Sequence, residues 1–334
     1  MKVKDLKQLL VGVVKDYVSL PEAEYFAAEA IETDIRKSPR KKYSNEMIGD
    51  IKAWKKLAGA KVTKAVDLPG YTRYDFHGLG PSLKLKEIHD GLERKASKNG
   101  IAMASITNST GMHTMHLWTQ GLAKRGLFAL GAYNGGPEAV VPLNGTKGLM
   151  GTNPLTYAFP GDKGDIVIDM ATSEIPFFKI LGAQKNNTPL PENAAVDNDG
   201  ELTTDPQKAI DAREVSNLLP MGGNYKGYNI NYLLEVMTSA LIGAKISADM
   251  NGFIPEEHGG FIIAIAIDKI TDRGRYDGSV KSMNEKIRAQ KPKKGVEKVL
   301  VPGDRNLERM KGMSDETDIE VDEGFVKMLN ELTK

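Results

Sequence analysis

The chain has 334 residues, 40% of them hydrophobic, enough for a sizeable core and a length that suits two domains. Lys and Arg number 45 against 44 Asp and Glu, so the charge balance argues neither for nucleic acid nor for an acidic solvating tail. There is no cysteine, which excludes disulfides, thiolate catalysis and Cys-ligated zinc.

Residues 4–37 read as two helices. Leu6, Leu9, Leu10, Val13 and Val14 recur at helical spacing. The opening segment is therefore an amphipathic helix rather than a signal peptide. No stretch approaches the ~18–20 apolar residues of a membrane span. The expectation is a soluble cytoplasmic protein. Pro21 suits the first turn of the second helix, and Glu22 and Glu24 complement its dipole. The basic run from Arg36 to Lys42 reads as a solvated loop broken by Pro39, or as a patch attracting phosphate or carboxylate. A glycine-containing segment, Phe76 to Pro81, leads into a helix over 83–98. Strand-like segments follow at 100–106, 127–133, 155–160 and 165–170. Asp197-Asn198-Asp199-Gly200 is a turn. Residues 229–246 read as a long apolar helix buried on more than one side. The run over 260–268 is a buried strand. A polar helical stretch (274–298) and a short amphipathic helix (321–332) close the chain. Helices at both ends predict a discontinuous helical domain, 1–74 with 308–334, around a mixed α/β domain, 75–307.

Neither standard phosphate-cradling loop, GxGxxG after a strand or GxxxxGK[ST], is present. Five histidines are candidates for chemistry: His77, His89, His113, His116 and His258. His113 and His116 have a spacing that would share a helix face. They lack the intervening Glu of HExxH and an obvious third ligand, so no metal is expected. They follow Asn108-Ser109-Thr110-Gly111 at a strand end, where sites cluster in α/β proteins, and a substrate-facing role suits them better. His77 is a further pocket candidate, and His258 reads as a loop residue. Leu219 to Tyr228 opens the long helix with Gly222-Gly223 and Lys226, which suits an anion clamp or a plain glycine turn.

Five motifs in order resemble the malate/L-lactate dehydrogenase-like family. They are Gly151-Thr152-Asn153-Pro154; Asp169-Met170-Ala171-Thr172-Ser173; Pro189-Leu190-Pro191 with Asp197 to Gly200 and Thr203 to Pro206; Pro220 to Gly223 with Lys226-Gly227-Tyr228; and Val301-Pro302-Gly303-Asp304-Arg305. The family includes malate, L-lactate, sulfolactate and ureidoglycolate dehydrogenases, 2,3-diketo-L-gulonate reductase and cyclic imine reductases. The resemblance implies an α/β (α+β), non-Rossmann, sulfolactate dehydrogenase-like fold. It also implies hydride exchange between a nicotinamide cofactor and the carbon alpha to a carboxylate, in a homodimer with the cofactor near the interface. Carried over, the cofactor-lining positions are Ile168, Asp169, Met170, Ala171, Thr172, Ser173, Tyr225, Lys226, Gly303, Asp304 and Arg305. Thr152 and Asn153 are expected at the nicotinamide end. NAD is favoured over NADP, because Asp169 and Asp304 in these segments would oppose a ribose 2′-phosphate.

The family's Ser-His-Gly-Val-x-Arg motif, which carries its proton donor, is absent. Its best match is Tyr43-Ser44-Asn45-Glu46, with Ser44 on the serine, Asn45 on the histidine, and the arginine position near Gly49. The family's Asn-His-Phe-Gly is altered to Ser109-Thr110-Gly111-Met112, and Phe178 stands where glycine is usual. A neutral Asn can polarise a carbonyl but cannot deliver a proton. Three readings stay open. A relocated acid serves (His113, His116 or His77), the substrate is a protonated cyclic imine, or the chain binds without catalysis. The function expected is reduction of a 2-oxo or 2,3-dioxo acid, closest in layout to 2,3-diketo-L-gulonate reductase.

Overall fold

A computed structural model describes residues 1–37, 61–112, 114–136, 138–210, 215–250 and 257–333. Its centre is a seven-stranded sheet. The strands are β1 (Thr63–Leu68), β2 (Tyr71–Asp75), β3 (Ile101–Ser109), β4 (Leu127–Tyr133), β5 (Leu155–Phe159), β6 (Ile166–Met170) and β9 (His258–Ala266). The spatial order is β1-β2-β3-β9-β4-β5-β6. Only β2 and β3 pair in parallel; every other neighbouring pair is antiparallel. It follows that β2, β3, β4 and β6 all end at the same edge of the sheet, where β9 and β5 begin.

Alternation along the strands explains what covers each face. Ala102, Ala104, Ile106, Ala129, Ile262 and Ala264 are fully or almost fully buried on one face. Over them pack α3 (Leu85–Asn99) and α4 (His116–Lys124). The other face carries Phe261, Ala132 and Leu234, the last from the helix α6 (Tyr225–Thr238). A second core belongs to a smaller lobe. There Ile175, Ile180, Leu190, Ala195 and Leu218 cluster around α5 (Phe177–Asn186) and the two-stranded sheet of β7 (Ala195–Val196) and β8 (Leu202–Thr203).

The strands expected in the middle of the chain are present, and so are the terminal helices α1 (Val3–Val14), α2 (Leu20–Lys37) and α10 (Glu323–Leu332). The two ends meet. Lys2 forms a β-bridge with Asp318, and α1, α2, Phe325 and Leu329 share one core. Two details differ from the sequence reading. Residues 63–75 form β1 and β2 of the sheet rather than part of the helical unit, and the terminal helices share their core with the sheet. The apolar helix begins at Tyr225 and stops at Thr238, where Ser239 leaves helical geometry (φ −124°, ψ −87°). It is buried along one face only. Tyr232 and Leu233 are 57% and 55% exposed.

Candidate active site

The shared edge of the sheet gathers residues far apart in sequence: Asp75 at the end of β2 and His77 just after it, Ser109 at the end of β3, Tyr133 at the end of β4 and Asn134 after it, Asn153 before β5, Ala171 to Ser173 after β6, and His258 at the start of β9. Ligand sites form at such strand ends because loops are free there while the strands hold them in place.

A buried hydrogen-bond network sets the loops. Asn153 sits at φ 33°, buried, and donates from Nδ2 to Glu235 Oε2 at 2.7 Å while its Oδ1 accepts from Gly135 N at 3.1 Å. Glu235 Oε1 accepts from Ser247 N at 2.6 Å, and its Oε2 from Ser247 Oγ at 3.0 Å. Thr172 Oγ1 donates to Asn153 O at 2.9 Å, and Asn231 Nδ2 donates to Thr172 Oγ1 at 2.9 Å. Asn153 and Thr172 therefore point inward and hold the loops. Their neighbours Thr152, Ala171 and Met170 keep some exposure. Glu235, Asn231 and Ser247 escaped the sequence reading. A lone carboxylate within an apolar helix was the available signal, since such a group is buried only with partners.

The turn after β6 is stitched to the segment before α6. Met221 N donates to Thr172 O at 2.8 Å, Glu174 N to Leu219 O at 2.8 Å, and Gly222 N to Glu174 Oε2 at 2.6 Å. Asn224 caps α6 by accepting from Lys226 N at 2.9 Å. Tyr225 and Lys226 are exposed on this first turn, with the ammonium 6.0 Å from the ring centroid. At the other end of β6, Gly303 (φ 91°) lies against Ile166 and opens α9 (Asp304–Met310). Asn306 Nδ2 donates to Val167 O at 3.1 Å.

The turn after β6 and the Gly303 segment thus flank one strand, β6, which among the described residues pairs only with β5, and Tyr225 and Lys226 follow the segment stitched to that turn. Backbone groups alternate sides along a strand. With Val167 O turned outward to Asn306, the N–H and C=O of Asp169 also face the open edge. An extended dinucleotide fits such an edge: exposed apolar side chains (Met170, Tyr225), a fixed cation (Lys226) and unpaired backbone groups. Arg305 is exposed at its lower end.

The two acidic residues of these segments have other partners. Asp169 Oδ2 accepts from Met115 N at 2.9 Å and Thr114 Oγ1 at 3.3 Å, capping α4. Asp304 takes a two-pronged bond from Arg288 (2.7 and 3.1 Å) and accepts from Val301 N at 2.9 Å. Those bonds hold its carboxyl below the usual range. Both side chains are engaged within the protein, so their presence in these segments does not by itself favour NAD over NADP.

Of the residues expected to be catalytic, Ser44, Asn45 and His113 lie outside the described residues. His116 is buried at the start of α4, with Nδ1 3.5 Å from Asp169 Oδ2 and Nε2 3.5 Å from Asn306 Nδ2. It sits between Asp169 and α9, beside β6. His77 (φ 48°) is half-exposed beside Asp75, at 3.4 Å. Five strand spacings separate it from β6, about 24 Å at ~4.8 Å each, too far to act on a substrate held there. His258 is central. Its Nδ1 faces Asn134 O at 3.0 Å and Asn134 Oδ1 at 3.1 Å, and its ring packs on Tyr133 with centroids 5.0 Å apart. Asn134 Nδ2 donates to Lys245 O at 2.9 Å, which fixes the amide so that Oδ1 faces the histidine. Among the described residues, no three His, Asp or Glu converge on a candidate metal site, and no helix is long and apolar enough to cross a membrane.

A mixed α/β fold with motif loops along one sheet edge defines the class. The solved sulfolactate dehydrogenase of Methanocaldococcus jannaschii has the same fold, with a TM-score of 0.81 at 24% identity, covering 99% of this chain and 96% of that one. The malate/L-lactate dehydrogenase family model matches residues 41–330, and the chain belongs to that family. The L-sulfolactate dehydrogenase of M. jannaschii is 30% identical over 259 residues, 76% of this chain and 72% of that protein. A Pseudomonas putida delta(1)-pyrroline-2-carboxylate/delta(1)-piperideine-2-carboxylate reductase is 38% identical over 181 residues, 53% of this chain and 51% of its own. The family is one of NAD(P)-dependent 2-hydroxy acid dehydrogenases and related imino-acid reductases.

Proposed function

We propose that this chain reduces a small 2-oxo or cyclic imino acid, with a nicotinamide dinucleotide extended along the open edge of β6. The observation that carries this is the convergence of residues 168–173, 225–226 and 303–305 on one edge strand. When bound, the cofactor would supply the hydride. The chain's part is to orient it and to provide the proton. Thr152 and the turn at Ala171 would lie at its nicotinamide end, held by the Asn153–Thr172–Glu235 network.

His258 is the described histidine best placed to give the proton. Two oxygen acceptors at Nδ1 keep a proton on that nitrogen. The histidine lies at the same sheet edge as Asn153 and Ala171, three strand spacings from β6, about 14 Å against about 24 Å for His77. The test is loss of reduced-nicotinamide absorbance with pyruvate, oxaloacetate, 2,3-diketo-L-gulonate and a cyclic imino acid. His258→Gln should lower kcat by ~100-fold or more while nucleotide binding persists. A collapse in His113→Gln with His258→Gln near wild type would move the proton donor to the 108–115 loop. A second reading rests on Asn45 standing at the family's histidine position: a protein that binds nucleotide without turnover on any substrate.

The outward face of α6 supports a homodimer. Tyr225, Tyr232, Leu233, Val236 and, just beyond, Leu241 form an exposed apolar face, a feature that marks interaction surfaces when contiguous. Because it begins at Tyr225, a second copy seated there would border the cofactor edge.

A further inference from the structure

Below the open edge of β6, between the β5–β6 turn, the end of α8 (Arg273–Arg288) and α9, lies a cleft of about 630 Å³. It is continuous with Gly303–Arg305, since Asp304 lines it. Leu300, Leu307 and Met310 supply apolar wall. Four cations face it: Lys163 from the turn, Arg288 from α8, and Lys298 and Lys311 from either side of α9.

Two of these cations are already matched. Arg288 bonds Asp304 and reaches Asp162 at 2.7 Å. Lys298 lies 3.8 Å from Glu308. Lys163 and Lys311 are exposed, and among the described residues no carboxylate lies within ion-pair distance of either. Unmatched like charges around a cleft raise the local concentration of anions and favour a multiply charged one. With the nicotinamide at the Asn153 end of β6, the adenosine end comes down to Gly303, beside this cleft.

We propose that the cleft receives the adenosine end of the dinucleotide and that Lys163 and Lys311 pair with a ribose 2′-phosphate, so that NADP(H) is the preferred carrier. The inference rests on the nicotinamide reading above and adds the specificity. Apolar walls suit the adenine, and the two flexible ammonium groups suit a phosphate dianion approached from solvent. Arg288 takes a positioning part. It holds Asp304 in a two-pronged bond while also bonding Asp162, which fixes the wall of the cleft beside Gly303.

Calorimetric titration of the full chain with NADPH, NADH, 2′,5′-ADP and 5′-AMP tests this without turnover. NADPH should bind at least about tenfold tighter than NADH, and 2′,5′-ADP tighter than 5′-AMP, as expected for two charge-assisted contacts. Added salt should narrow both gaps. The Lys163→Ala/Lys311→Ala double variant should cut the NADPH-to-NADH affinity ratio by about tenfold. Both lysines are exposed, so folding is not at stake. Equal or tighter binding of NADH, or a ratio unmoved in the double variant, overturns the inference while leaving the reductase reading intact. Failure of every nucleotide to bind overturns both.

Discussion

A carboxylate buried without a cation is costly unless hydrogen bonds replace its water. Glu235 meets that demand with donors from Ser247, Asn153 and, at 3.4 Å, Gly151 N. It thereby joins the loop before β5 to the helix that opens with Tyr225. His89 solves a similar problem as a neutral group. It is completely buried, with Tyr25 OH at 2.7 Å from Nδ1 and Trp118 O at 3.1 Å from Nε2. The carbonyl must accept, so Nε2 carries the proton and the tyrosine donates to Nδ1. Burial, helped by Arg125, pushes the pKa down to about 3. The unfolded chain takes up a proton below about pH 6.5, whereas the native state does not. The contribution of His89 is therefore full above that pH and is lost as pH falls toward 3. Between pH 6.5 and 5 it should cost about 2 kcal/mol of stability. Denaturant titrations should show that slope, and His89→Gln should flatten it; an unchanged slope would place the titration elsewhere.

At the scale of elements, the start of α6 decides where the anion-facing end of the site lies. Gly227 packs so closely on the turn before it that a Cβ would stand 1.9 Å from Met221 O, a backbone atom that cannot swing away. Gly222 and Gly223 adopt positive φ, 74° and 58°, in the same turn. The glycines were legible as punctuation in the sequence, but the close approach that requires Gly227 was not. Gly227→Ala should destabilise the fold by about 3 kcal/mol, measured by thermal melting, and weaken nucleotide binding as Lys226 shifts. A variant that melts and binds like wild type would show that the turn relaxes freely.

At the scale of the molecule, the apolar side chains along the outside of α6 are exposed rather than part of a core, and the proposed homodimer would cover them. Sequence periodicity could not separate the two, because a helix facing a second subunit and one facing a core carry the same residues. Replacing Leu233 and Leu241 with Asp should convert a dimer into a monomer in light scattering. A wild-type chain already monomeric at micromolar concentration would refute the homodimer.

The sequence alone was enough for the family, five of the seven sheet strands and the terminal helices, because hydrophobic period and ordered motifs are local signals. Strand β1 escaped because it is exposed along nearly its whole length, and β2 because its buried positions, Thr72 and Tyr74, do not stand out as apolar against Tyr71, Arg73 and Asp75. Tertiary structure alone decided which motif residues face a ligand. Asn153, Thr172, Asp169 and Asp304 read as site residues, yet each has its side chain engaged by a partner remote in sequence: Glu235, Asn231, Met115 and Arg288. A hydrogen bond between distant residues leaves no period or spacing in the chain. Only folding shows whether a polar side chain is turned to the cleft or already satisfied within the protein.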